Sequence, residues 1–287
     1  MSEDTQIEQI INQALDEDLG KLGDITSNFT IPKDKEIHFQ ISNREELVLC
    51  GVKFVSQIFT KVAQRLNLPE VILKINHQDG EVLPENTAII SGNGNARVVF
   101  AAERLVLNLM QHLSGVATIT HQYVSKIRTS KTKILDTRKT LPAFRILQKY
   151  AVKIGGGTNH RMALFDGILI KDNHIAAAGN IKNAVQMVRQ NLAKENLKLP
   201  IEVECDDLNQ VQEALESRVD IIMLDNMNLE QISAALKIIK SQAKVEVSGG
   251  VGLDDVAAIA KTGVDFISIG ALTHSVRSVD IGLDVIS

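Results

Sequence analysis

Between Leu135 and Arg161 the chain reads LDTRKTLPAFRILQKYAVKIGGGTNHR. Six of the seven formally charged side chains in this stretch are basic, although the whole chain carries a net charge of −4. Arg138, Lys139, Arg145, Lys149, Lys153 and Arg161, together with His160, crowd around a triple glycine, and Asp136 is the one acid among them. A guanidinium offers a planar fork that fits a carboxylate or phosphate, and its charge does not titrate away. Cations converging in this way suit a small polyanion. A second set of residues lies further on: Lys171 after GILI, Glu204 in IEVEC and Asp225 closing IIMLD. The hard oxygens of Glu204 and Asp225 suit a Mg²⁺ that arrives with a phosphorylated ligand. A third set, Ser248-Gly249-Gly250 and Gly270, offers bare backbone N–H groups of the kind that cradle phosphate. Each set also has a plainer reading. Glu204 could be the ion-pair partner of a neighbouring lysine, the triple glycine a helix stop, and the later glycines turns. HExxH and GxSxG are absent, so neither a zinc protease nor a serine hydrolase is indicated. His112 and His121 fall in a long helical stretch and read as packed or exposed.

The composition narrows the partners. With 44% hydrophobic and 23% charged residues in 287, the chain reads as a soluble globular protein of one or two domains. The sequence pI near 6.0 and 3% aromatic content argue against nucleic-acid binding, which needs a basic face and stacking platforms. No apolar run reaches the roughly 18 residues that span a bilayer. The acidic start MSEDTQIEQI lacks the basic and apolar regions of a signal peptide. Cys50 and Cys205 stand far apart with no metal or redox spacing, so a reducing cytoplasm is expected.

These residues must be positioned by the surrounding elements. The first 110 or so residues mix types in α+β fashion, with TQIEQIINQAL helical and EIHFQISN, EELVLCG and TAIISGNG as strands. A long helix is expected from Arg97 to Arg128, interrupted near Ser114 and Gly115. Pro142 is expected at the first position of a helix PAFRILQKYAVK that stops at the glycines, with part of its lysine set on a solvated face. From there short apolar strands alternate with helices: KILDT, GILIK, IEVEC, IIMLD, VEVSG and FISIG. Such repetition makes a parallel sheet covered by helices. Six strands, with the hint of a seventh, fall short of a closed eight-stranded barrel. The fold class expected is therefore α/β, an open (incomplete) α/β barrel with an N-terminal α+β sandwich domain. A doubly wound sheet is the alternative, because strand order is not written in one sequence. In either architecture the ligand end is the carboxyl end of the strands, where the polar residues fall.

AAERLVLNLMQHLSGVAT, ILDTRKTLPAFRILQKYAV, GGGTNHR, LIKDNH, VEVE, MLDN, VSGGV and IGALTHS occur in this order, after EDLGKLGDITS. Together they resemble the quinolinate phosphoribosyltransferases over nearly the whole chain. The sequence departs from the family pattern at Leu141, at Ala143 and in MALFDG, all of which flank the charged residues. The resemblance implies a sandwich domain over residues 1–112, a barrel over 113–274, and a return of 275–287 to the first domain. It implies phosphoribosyl transfer from phosphoribosyl pyrophosphate (PRPP) to quinolinate, with loss of CO₂, in NAD biosynthesis. Arg138, His160, Arg161 and Lys171 would hold the quinolinate carboxylates, and Arg104 would join them from a partner subunit. Lys139, Glu204 and Asp225 would handle PRPP and its Mg²⁺, and Thr137 of the DTRKT motif would also bind substrate. Lys139, Glu204 and Asp225 are the residues to which the resemblance gives catalysis. Ser248, Gly249, Gly250, Gly270 and His274 would cradle the 5-phosphate. A homodimer with shared sites is implied, alone or assembled into hexamers. A paralogous group linked to molybdenum transport shares much of the motif set and would use another acceptor.

Overall fold

The structure, a computed structural model, describes residues 2–286. In chain order the elements begin with α1 (Glu3–Leu19), α2 (Ile25–Thr30), β1 (Glu36–Asn43), β2 (Leu47–Val48), α3 (Val55–Leu66), β3 (Ile72–Ile75), β4 (Val82–Leu83), β5 (Ala88–Asn95) and α4 (Ala96–Ile127). There follow β6 (Lys133–Leu135), α5 (Arg145–Ile154), β7 (Ile168–Ile170), α6 (Asp172–Ala178), α7 (Ile181–Lys194), β8 (Ile201–Cys205), α8 (Leu208–Glu216) and β9 (Ile221–Asp225). The chain closes with α9 (Leu229–Ile239), β10 (Lys244–Ser248), α10 (Val256–Lys261), β11 (Phe266–Ser268), α11 (Ala271–His274) and β12 (Ile281–Ile286). None of these helices is long and apolar enough to cross a membrane.

The chain divides into two compact units. The first comprises Met1–His121, Thr140–Gly156 and Leu272–Ser287. The expected boundaries at 112 and 274 differ from this division chiefly in the segment Thr140–Gly156, which groups with the first unit. Its four-stranded sheet runs β12-β1-β5-β3, and every pairing is antiparallel. The last strand of the chain thus lies beside the first. Phe39 faces Gly92 across β1 and β5, and a Cβ at Gly92 would sit 2.3 Å from the Phe39 ring. That ring stacks on Phe59 of α3 with centroids 5.7 Å apart. Ile7, Ile11 and Leu15 recur every four residues along α1 and bury one face of it.

Two expectations in this unit need correction. First, α4 runs unbroken for 32 residues. Ser114 and Gly115 are there for packing. The Ser114 hydroxyl accepts from Cys50 N at 2.9 Å and donates to Cys50 O at 3.1 Å, while a Cβ on Gly115 would lie 2.4 Å from Arg277 O. Second, α5 begins at Arg145, three residues beyond Pro142. Phe144 N donates to Leu141 O, and Ala143 has φ 59°, so Pro142 lies in a turn and not at a helix start. The glycines do end α5: Gly156 takes φ 90°. Lys149 is 1% exposed and so lies off any solvated face, whereas Lys153 is exposed.

The second unit comprises Gln122–Lys139 and Gly157–Ala271. Its six strands are ordered β6-β11-β10-β9-β8-β7, and every pairing is parallel. From β7 to β11 each strand neighbours the next in sequence, and β6, the earliest, closes onto β11. A doubly wound sheet reverses direction at a switch point, and this order never does. The sheet is therefore an open barrel with its gap between β6 and β7. The strand interiors are buried and apolar, as at Ile222, Met223 and Leu224, because helices cover the outer face and side chains fill the inner one.

Candidate active site

A cavity of about 370 Å³ opens at the carboxyl ends of the strands of the second unit. Its charged lining consists of Arg138, Lys139, Arg161 and Lys171 against Glu204, Asp225 and Glu246, with His160 between them. Thr137, Ser248 and Ser268 add hydroxyls. A larger depression, about 910 Å³, lies at the opposite strand ends around Asp220, Lys244 and Asp265. Its acids are already committed to holding the fold. Asp220 accepts from Ile201 N at 2.7 Å, and Asp265 takes Lys244 at 2.6 Å and Val245 N at 2.9 Å.

Asp136, fully buried at the end of β6, organises the cationic wall. Its Oδ1 accepts from His160 N at 2.9 Å and its Oδ2 from Asn159 Nδ2 at 2.5 Å. Thr158 adds a parallel bridge to Leu135, so the NHR turn is anchored to the strand that delivers Arg138. Arg161 is held in turn, with Nη1 donating to Gly167 O at 2.8 Å and its N–H donating to His160 Nδ1 at 2.7 Å. Burial lowers the Arg161 pKa, and the positive charge of Arg138 lowers it further. Two guanidiniums that raise each other's electrostatic cost in this way have the chemistry to take an anion between them.

On the acidic wall, Lys171 Nζ donates to Glu204 Oε2. The plainer reading of Glu204 as an ion-pair partner therefore holds, and the pair joins a cation from the end of β7 to the acid on β8. Asp225 accepts from Asn226 Nδ2 at 2.7 Å. Asn226 in turn lies under Gly249, where a Cβ would come within 2.3 Å of Asn226 Oδ1 and φ is 94°. Gly249 is glycine for both reasons. Gly249 and Gly250 line a neighbouring depression and not this cavity, and Gly270 follows β11. Arg104 and His274 stand exposed in the first unit. Arg145 belongs to that unit as well, with Nε donating to Thr140 Oγ1 at 2.9 Å.

The inner wall holds two acids not expected from the sequence. Glu202 and Glu246 are 5% and 1% exposed, and His160 Nε2 lies 3.2 Å from the first and 3.5 Å from the second. Burial, and then the charge of Glu202, push the Glu246 carboxyl up to about 8. A readable signal for both was present: IEVEC sets two acids, and VEVS one, between apolar residues of a strand. Alternation along β8 puts Glu202 on the same face as Glu204.

Comparison with known proteins meets this geometry. The family model for the N-terminal domain of quinolinate phosphoribosyl transferase matches residues 24–114, and that for the C-terminal domain matches 116–284. The chain belongs to the quinolinate phosphoribosyltransferase family. Among this family, nicotinate-nucleotide pyrophosphorylase (carboxylating) of Mycobacterium leprae is 42% identical over 278 residues, which cover 96% of this chain and 95% of that protein. The crystal structure of nicotinate-nucleotide pyrophosphorylase from Ehrlichia chaffeensis superposes with a TM-score of 0.92 at 43% identity, covering 97% of this chain and 98% of that one. The Francisella tularensis pyrophosphorylase gives 0.91 at 38% identity over 100% and 98%. An open barrel with an N-terminal antiparallel-sheet unit is thus the fold of the family.

Proposed function

We propose that this chain transfers the phosphoribosyl group of PRPP to the ring nitrogen of quinolinate with loss of CO₂, yielding nicotinate mononucleotide and pyrophosphate. The observation that carries this reading is the division of one cavity between Arg138 and Arg161 on one side and Glu204 and Asp225 on the other. The names of the relatives support quinolinate as the acceptor.

Quinolinate brings two carboxylates, which Arg138 and Arg161 bind through charge-assisted pairs, with Lys171 beside them. PRPP reaches the opposite wall. Departure of pyrophosphate leaves an oxocarbenium-like ribosyl centre, as in glycoside chemistry. Mg²⁺ carried by PRPP would neutralise the departing pyrophosphate, and carboxylates such as Glu204 and Asp225 supply the oxygens it accepts. Those two acids also offset positive charge at the ribosyl carbon, and Lys139 offsets negative charge on the leaving group. Ser248 and the backbone N–H groups of Gly249, Gly250 and Gly270 serve the 5-phosphate. After the ring nitrogen attacks, the pyridinium draws in the electrons of the 2-carboxylate bond, so CO₂ leaves once the ring is positioned. No covalent nucleophile is needed. The enzyme would work as a homodimer in which Arg104 of one subunit completes the site of the other.

The test is incubation with quinolinate, PRPP and Mg²⁺. Nicotinate mononucleotide and CO₂ should form in equal amounts, stop with EDTA and return with Mg²⁺. PRPP binding without release of pyrophosphate would overturn the reading.

A further inference from the structure

β6 and β7 are the edge strands of the six-stranded sheet, and the chain crosses the gap between them on its way from Thr158 to Ile168. Arg161 lies on this crossing, whereas Arg138 leaves the end of β6. Alternation along β6 explains how the crossing is held. Lys133 N donates to Asp265 O and Leu135 O accepts from Ile269 N, both towards β11. Ile134 O and Asp136 N therefore face the open edge. There Thr158 N donates to Ile134 O at 2.8 Å and Thr158 O accepts from Asp136 N at 3.2 Å. Past that point the Asp136 side chain continues the pairing, taking His160 N on Oδ1 and Asn159 Nδ2 on Oδ2. At the far end, Arg161 Nη1 reaches Gly167 O, one residue before β7, and Asp166 accepts from Met162 N and Ala163 N. A fully buried carboxylate thus does at the gap what a strand ladder does in a closed barrel.

The two guanidiniums need such a hold. The charge of Arg138 works against the charge on Arg161, so without an anion the pair relaxes apart unless the backbone beneath it is fixed. We infer that Asp136 is a positioning residue that fixes the NHR turn beside Arg138, and that this spacing favours a ligand with two neighbouring carboxylates over one with a single carboxylate. Two carboxylates neutralise both guanidiniums, while one leaves a cation facing an unrelieved like charge. The turn carries His160 as well as Arg161, so both move with the anchor. The preference for quinolinate rests on the function proposed above, but the anchor does not.

The first test needs no substrate. Amide hydrogen exchange of the ligand-free protein, read by mass spectrometry on peptides covering residues 157–167, should speed up about tenfold in D136A, with the β8 and β9 peptides unchanged. Unchanged exchange over 157–167 overturns the anchor. The second test is titration calorimetry with quinolinate, nicotinate and PRPP. D136A should weaken quinolinate binding about thirtyfold, nicotinate only about threefold and PRPP less than about twofold. The swap D136N/N159D keeps an acceptor for His160 N and a donor–acceptor pair between the two side chains, so quinolinate affinity should return to within about fivefold of wild type. If D136A does not fold, N159A removes the Oδ2 bond alone and should show the same order of losses, about fivefold for quinolinate. Equal weakening of quinolinate and nicotinate, a matching loss for PRPP, or no recovery in the swap overturns the positioning role. If wild-type protein makes no nicotinate mononucleotide, the proposed function fails while the exchange rates still decide the anchor.

Discussion

Arg138 and Arg161 repel one another across a partly buried wall, and an anion between them relieves that repulsion. Replacing either by alanine should weaken quinolinate binding by about 2 to 4 kcal/mol, because a carboxylate then loses a charge-assisted partner. PRPP affinity should change far less, and titration calorimetry with each substrate separates the two effects. Glu246 makes a different kind of prediction. Its carboxyl is raised from 4.5 to about 8 in the folded chain, mainly by burial. The unfolded chain therefore releases this proton first, and between those values the folded state binds more protons than the unfolded one. Stability contributed by the neutral carboxyl is present in full below pH 4.5 and lost as pH rises towards 8. Urea midpoints of E246Q and wild type should accordingly diverge from pH 5 to pH 8, with wild type losing ground. Parallel curves would show that Glu246 ionises in the fold like an ordinary surface acid.

At the scale of elements, small residues inside a helix carried two meanings that the sequence does not separate. Ser-Gly within a long apolar run reads as a break, yet at 114–115 it allows two segments to approach α4. Gly115→Ala should therefore destabilise the fold by about 1 to 3 kcal/mol through overpacking against Arg277 O. A broken helix would instead gain from alanine's higher helix propensity. Urea unfolding gives the sign directly. The start of α5 misled for a related reason. Proline suits a helix's first position, but it equally suits a turn, and the left-handed φ of Ala143 selects the turn. Strand positions were easier. β1 coincides with EIHFQISN, β5 overlaps TAIISGNG with a one-residue shift, and five of the six barrel strands fall within their apolar runs, β10 starting one residue earlier at Lys244. A strand buried on both faces leaves an apolar run that few loops imitate.

At the scale of the whole molecule, the proposed dimer can be tested by subunit mixing. Arg104→Ala and Lys139→Ala homodimers should each be nearly inactive, since every site lacks one cation. If Arg104 acts on the partner's site, each mixed dimer has one site missing both residues and one intact. Random exchange makes roughly half the dimers mixed and restores roughly a quarter of all sites. Differently tagged subunits confirm that exchange has occurred. No recovery after confirmed exchange would place Arg104 outside any shared site.

By itself the sequence determined the α/β class, with the open barrel as its first reading beside a doubly wound sheet, and most of the charged residues that line the cavity. Those follow from local facts: apolar runs of strand length, polar residues at their carboxyl ends, and cations clustered beside a glycine stop. Tertiary structure decided what each charge is paired with. It joined Lys171 to Glu204 across two strands, turned His160 inward to Glu202 and Glu246, buried Lys149, and passed Arg145 and Lys149 to the other unit. The physical reason is that pairing depends on strand order and side-chain direction. Those are set only when the sheet curls, with β6 closing onto β11 and β8 lying two strands from β10.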